Sequence, residues 1–156
     1  VDMLTSHKVF SFAEIRSRYE ITLDNYCKTV KIEALTMVDM ARKEILPAVE
    51  AYAKELSDAY IAKSAVIPGI AGKYEKGVIA KLSTLADEID TAAAALDVAV
   101  IRFNAISDTT EASCMIRDVI LQKMAELRVV CDEAETVTAE KYWPFPTYDK
   151  LLFGVK

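Results

Sequence analysis

From Val78 onward the apolar positions Leu82, Leu85, Ile89, Ala92, Leu96, Ala99, Phe103 and Ile106 follow one another at alternating steps of four and three. That is a heptad seam, which keeps one stripe facing a partner helix along its whole length. It predicts a helix from about Tyr74 to Ile106, and the small residues Ala92 to Ala95 would let a neighbour approach closely. A second stripe runs through Leu23, Tyr26, Val30, Met37, Ala41 and Ile45, and resumes beyond Pro47 with Val49, Tyr52, Leu56 and Ala59 to Val66. Ser11 with Glu14 three residues later reads as a capping box at its start, and Phe10 with Ile15 as the accompanying hydrophobic staple. A third stripe, opened by the Asp108 and Glu111 capping pair, comprises Ile116, Ile120, Met124, Leu127, Cys131, Ala134 and Thr138. Val119, Val130 and Val137 widen it, and this helix is expected to reach about Lys141.

Glycine and proline separate these stripes. Residues 1 to 46 contain neither, Pro68, Gly69, Gly72 and Gly77 cluster, and no further breaker occurs until Pro144. The chain must therefore turn around residues 68–72. Pro47 stands alone inside the first stripe, where proline costs about 3 kcal/mol in an ordinary helix interior. No Ser, Thr, Asp or Asn immediately precedes it to cap a fresh helix, which favours a kinked continuous helix over two separate ones. The expected fold class is all-α: an elongated antiparallel bundle of three long helices, or four if the first splits at Pro47. A helix of about 30 residues is about 45 Å long, and the first, if unbroken, must overhang the others.

After Lys141 the character changes. Two prolines, Pro144 and Pro146, forbid continued helix, while Tyr142, Trp143, Phe145, Tyr148, Leu151, Leu152 and Phe153 are too apolar for a solvated tail. These seven are the candidate interface residues, to be covered either by this domain's own helices or by another chain.

Composition narrows the function classes. The 156 residues form a single domain, 1–156, with 53% hydrophobic and 28% charged residues. A formal charge of -5 without a basic run argues against nucleic acid and anionic lipid as partners. No uninterrupted apolar stretch is long enough to span a membrane, and no basic-then-apolar leader opens the chain. Cys27, Cys114 and Cys131 form no CxxC pair and read as buried or half-buried packing residues in a reducing, cytoplasmic setting. His7 is the only histidine, which closes His-dependent zinc sites, Glu-x-x-His di-iron bundles and serine triads. The acids Asp87, Glu88, Asp90 and Asp132, Glu133, Glu135 read as solvated faces rather than a divalent-metal site, and Glu14, Arg16, Arg18 and Glu20 as a charge ladder or a docking patch. No catalytic, cofactor-binding or metal-binding residue is nominated. A carboxylate-bridged metal bundle enzyme and a self-standing helical protein–protein interaction module are the competing readings, and the start at Val1 rather than Met is read as that of an excised piece.

Several segments in order resemble the C-terminal region of type III glutamine synthetases, the large bacterial class of that enzyme. They are Arg18-Tyr19-Glu20-Ile21 with Leu23 to Tyr26, Lys31-Ile32-Glu33-Ala34, Ile45-Leu46-Pro47-Ala48, and Glu126-Leu127-Arg128 followed by Cys131-Asp132 and Glu135. The most specific is Trp143-Pro144 ahead of Tyr148 and Leu151-Leu152-Phe153. The resemblance implies a C-terminal fragment of a larger cytoplasmic enzyme of nitrogen metabolism, which ligates ammonia to glutamate through an ATP-derived acyl phosphate with a divalent metal such as Mg. It implies that this fragment holds no cofactor and no catalytic residue, the ligands lying in an upstream β-rich region. The implied partners are that upstream region and neighbouring subunits of a homo-oligomer, and the implied task is structure and assembly.

Overall fold

In the computed structural model the described residues are 2–146 and 148–154, with the side chains of Asp2, Tyr148 and Asp149 left aside. A short α1 (Asp2–Ser6) precedes α2 (Phe12–Met40), which passes through a π turn at Ala41–Ile45 into α3 (Leu46–Val66). Then come α4 (Lys73–Phe103), α5 (Thr109–Met115), a second π turn at Ile116–Ile120, α6 (Leu121–Val137) and α7 (Tyr148–Phe153). There is no strand among the described residues. The three stripes therefore form three long rods, and the short connections arrange them up, down and up.

The first rod runs unbroken through Pro47. Met40, Ala41, Ile45 and Leu46 all keep right-handed helical φ and ψ. In an α-helix the Pro47 ring would press on the Lys43 carbonyl. The wider turn just before it, in which the Leu46 N–H donates to the Ala41 carbonyl, loosens the ladder at that point. The result is one rod of roughly 80 Å at 1.5 Å per residue. In the second π turn the Leu121 N–H donates to the Ile116 carbonyl, and nothing in the local sequence marks it.

Both expected caps form. Ser11 accepts from the Glu14 N–H at 3.2 Å while the Glu14 carboxylate accepts from the Ser11 N–H at 2.7 Å. This pairing, chiefly the Ser11 backbone bond, holds the Glu14 carboxyl below the usual carboxylate range. Asp108 accepts from the Glu111 N–H at 2.8 Å. The turn after α3 places Gly69 and Gly72 at positive φ. At Gly72 a Cβ would also run into the ring of Tyr60, so glycine is needed there twice over.

The core is the seam. Leu82, Leu85, Ile89, Leu96 and Ala99 of α4 are buried against Val30, Ala34, Ala41, Ile45 and Val49 of the first rod and Ile116, Ile120, Leu127 and Ala134 of the third. Arg42 pairs with Asp97 at 2.9 Å across the first rod and α4, and Lys81 with Glu133 at 2.7 Å across α4 and α6. Such exposed pairs are worth about 0–1 kcal/mol each, so they fix register more than stability.

Four expectations need correction. Cys27, not Tyr26, takes the inward place on α2, and Tyr26 is exposed. Val66 and Val119 are exposed rather than part of the apolar faces. Cys114 is exposed. The third rod ends at Val137, short of Lys141, because Thr138 adopts extended backbone after the β-branched run from Thr136. The chain then turns twice, with the Tyr142 N–H donating to Ala139 O and the Trp143 N–H to Glu140 O.

Candidate functional site

Two features stand outside the packed seam. The first is the overhang. Between Phe12 and Tyr26 no side chain of α2 is buried, a length of about 22 Å. Phe12, Ile15, Tyr19 and Leu23 recur at steps of three and four and lead on to Cys27, Val30 and Ala34, which are buried further along. Phe12 is 63% and Tyr19 58% exposed. Ile15 and Leu23 are half-buried, so the uncovered part of the stripe is its exposed aromatic side chains. Its flanks carry charge: Arg16 pairs with Glu20 at 3.0 Å, and the Arg18 guanidinium lies 4.7 Å from the centre of the Phe10 ring.

The second is the C-terminal tail, and the structure divides its candidate residues. Tyr142 is half-buried, its ring 5.6 Å from that of Tyr52, and its hydroxyl donates to Glu55. Lys141 holds the same carboxylate at 2.6 Å. Tyr52 is pushed up to about 12 by its hydrogen bond with Tyr74 and then by burial. Trp143 and Phe145 pack against the core, edge to face, with ring centres 6.3 Å apart. Leu151, Leu152 and Phe153 of α7 remain 62%, 71% and 83% exposed. The Tyr148 side chain lies outside the described residues. Lys150 pairs with Glu140 at 2.6 Å and so ties α7 to the turn before it.

Beneath the tail is a cleft of about 300 Å³. Met37, Met40 and Ile45 of the first rod form one wall, and Leu127 and Cys131 of α6 another. Trp143, Phe145, Pro146 and Leu151 close the third side. Sequence reasoning missed this cleft, because its walls come from segments roughly ninety residues apart. It also missed Glu75, which is buried in the first turn of α4 and accepts from the Lys63 ammonium. That bond, with the Glu75 backbone N–H, holds the carboxyl below its ordinary range.

The remaining chemistry is sparse. Burial, and then Asp24, pushes the Cys27 thiol up, and burial, then Asp132, pushes Cys131 up to about 11. Neither is an activated nucleophile. Asp87, Glu88 and Asp90 are exposed, as is His7. Among the described residues no three His, Cys, Asp or Glu side chains are arranged to hold a metal ion. No helix of the described residues is long and apolar enough to cross a membrane.

Residues 1–64, which include the overhang, match the family described as the glutamine synthetase C-terminal domain. The chain is 35% identical over 156 residues to a glutamine synthetase of Butyrivibrio fibrisolvens, covering 100% of this chain and 22% of that enzyme. It is 28% identical over 163 aligned positions to the type-3 glutamine synthetase of Dictyostelium discoideum, covering 98% of this chain and 21% of that enzyme. The chain thus spans about a fifth of the length of these relatives. The chain is thus similar along its whole length to a part of these glutamine synthetases, and its residues 1–64 match the model of that family's C-terminal domain.

Proposed function

We propose that this chain is the C-terminal structural and assembly part of a type III glutamine synthetase. On this reading the whole enzyme ligates ammonia to glutamate through an ATP-derived acyl phosphate. ATP and a divalent metal such as Mg are held by the upstream catalytic region, and no catalytic residue comes from here. The partners are that upstream region and neighbouring subunits of a homo-oligomer in the cytoplasm.

The observation that carries this reading is the overhanging stripe of Phe12, Ile15, Tyr19 and Leu23. It runs on ahead of Cys27, the first buried residue of α2, and leaves Phe12 and Tyr19 exposed, and exposed apolar surface of this kind marks an interaction site. The same stripe favours a second reading, a self-standing helical module that binds an unrelated partner. The test uses the longer enzyme and the isolated chain side by side. The isolated chain, given glutamate, ammonia, ATP and Mg, is expected to form no glutamine. The enzyme shortened by this part is expected to lose its oligomeric state and regain it when the chain is added back. Glutamine formed by the chain alone, or a shortened enzyme of unchanged oligomer size, would overturn the proposal; the second outcome would favour the self-standing module.

A further inference from the structure

The cleft beneath the tail has a chemical character that the assembly role does not use. Its walls are apolar and its opening is acidic. Three charged side chains of α6 reach its lining: Arg128, Asp132 and Glu135. Arg128 lies 3.4 Å from Asp132 and neutralises it. Glu135 is half-buried and has no ion-pair partner among the described residues. The opening therefore carries one uncompensated carboxylate above an apolar floor, with the rings of Trp143 and Phe145 beside it.

Each class of small ligand meets this arrangement differently. An anion is repelled by Glu135. A neutral apolar molecule gains the walls but leaves a half-buried carboxylate unpaired and less hydrated, which costs free energy. A cation with an apolar stem satisfies both parts. The stem lies along Met37, Met40 and Leu127, while the ammonium pairs with Glu135 and meets the face of an aromatic ring, where Trp is the most favourable partner. The methionines suit a stem of no fixed shape, since their unbranched side chains repack readily. A volume of about 300 Å³ lies at the lower end of small-molecule sites, which run to about 1,000 Å³.

We propose that this cleft is a binding site for a small amphipathic cation, a primary ammonium on a short aliphatic stem. The inference stands apart from the assembly role, because it rests on the cleft and not on the overhang. Trp143 is the sole tryptophan of the chain and sits in the cleft wall, so its emission reports occupancy.

The experiment titrates the chain with hexylammonium, hexanol and hexanoate at matched ionic strength and follows Trp143 fluorescence. Hexylammonium is expected to give a saturable change, with hexanol about tenfold weaker and hexanoate weaker still. Glu135→Gln is expected to bring hexylammonium down to the level of hexanol while leaving hexanol unchanged. Arg128→Gln, which removes the one positive charge at the opening, is expected to tighten hexylammonium several-fold. Should Glu135→Gln lose its helical circular dichroism, Arg128→Gln and the three-ligand series on the unaltered chain decide the matter. The proposal is overturned by an unsaturable response, by equal affinity for all three ligands, or by a folded Glu135→Gln chain that still prefers the ammonium.

Discussion

Leu96 lies in the C-terminal half of α4, fully buried between the first rod and the third. Leu96→Ala removes the outer carbons of a side chain that sits in the middle of the seam and leaves a void that neighbouring side chains of three rods can fill only in part. Fully burying a leucine is worth about 1.5–3 kcal/mol, and the residual cavity raises the measured loss for such substitutions to roughly 2–5 kcal/mol. The better helix propensity of alanine returns only a few tenths of this. An expected cost of about 3 kcal/mol corresponds, for a domain of this size, to a fall in Tm of roughly 6–12 °C. The control is Ile101→Ala on the same helix, where the side chain is 63% exposed and the expected change is within about 0.5 kcal/mol. Thermal unfolding followed by circular dichroism at 222 nm compares the two variants directly. Leu96→Asp should be more severe still, because it places an unpaired charge in the same site. The seam is refuted if Leu96→Ala melts with the unaltered chain, or if Ile101→Ala loses as much.

Glu75 gives a pH-dependent contribution of known sign. Its folded-state pKa lies below the ordinary 4.5, so its stabilisation is complete above that value and is lost as pH falls through the lower folded value. The stability gap between the unaltered chain and Glu75→Gln should therefore be constant near neutral pH and close in acid; a gap that widens in acid would contradict the Lys63 pairing. Of the three thiols, Cys114 is exposed, Cys27 is buried and Cys131 is pushed up to about 11. At neutral pH Cys131 is about one part in ten thousand thiolate, so the native chain should show one fast thiol with a disulfide reagent and three after unfolding, and a second fast thiol would count against this packing. Gly72→Ala should cost roughly 1–3 kcal/mol, from the positive φ together with the Tyr60 ring, and chemical denaturation with no shift in midpoint would show the turn to be otherwise arranged.

What could be read from the linear chain was whatever a few neighbouring residues decide. The Ser11–Glu14 box and the Asp108 cap lie within one turn, and the seam from Val78 to Phe103 is a regularly spaced run on α4, so both appear where they were expected, although the helix stops at Phe103, short of Ile106. Pro47 was the harder case. Its clash is local, but the remedy is a change in the hydrogen-bond ladder of the preceding five residues, which no side chain announces. The shift from Tyr26 to Cys27 has a similar origin, since positions one residue apart differ by only about 100° around the helix and the neighbouring rod selects between them. The tail illustrates the other limit. Its apolar excess was evident, but Trp143 and Phe145 turn inward while Leu152 and Phe153 stay exposed. That division depends on where α6 stops and on the Lys141 and Tyr142 contacts to Glu55. The cleft and the Glu75–Lys63 pair need two elements brought together in space, and neither leaves a mark in spacing or composition.

The assembly role turns on whether the stripe of the overhanging helix is a contact surface in the longer enzyme. Sedimentation velocity on that enzyme carrying Phe12→Glu and Tyr19→Glu measures this directly, since both side chains are exposed in the isolated chain and their replacement should leave its melting curve unchanged. A smaller oligomer than that of the unaltered enzyme is the expected result. An oligomer of the same mass and stability would contradict it.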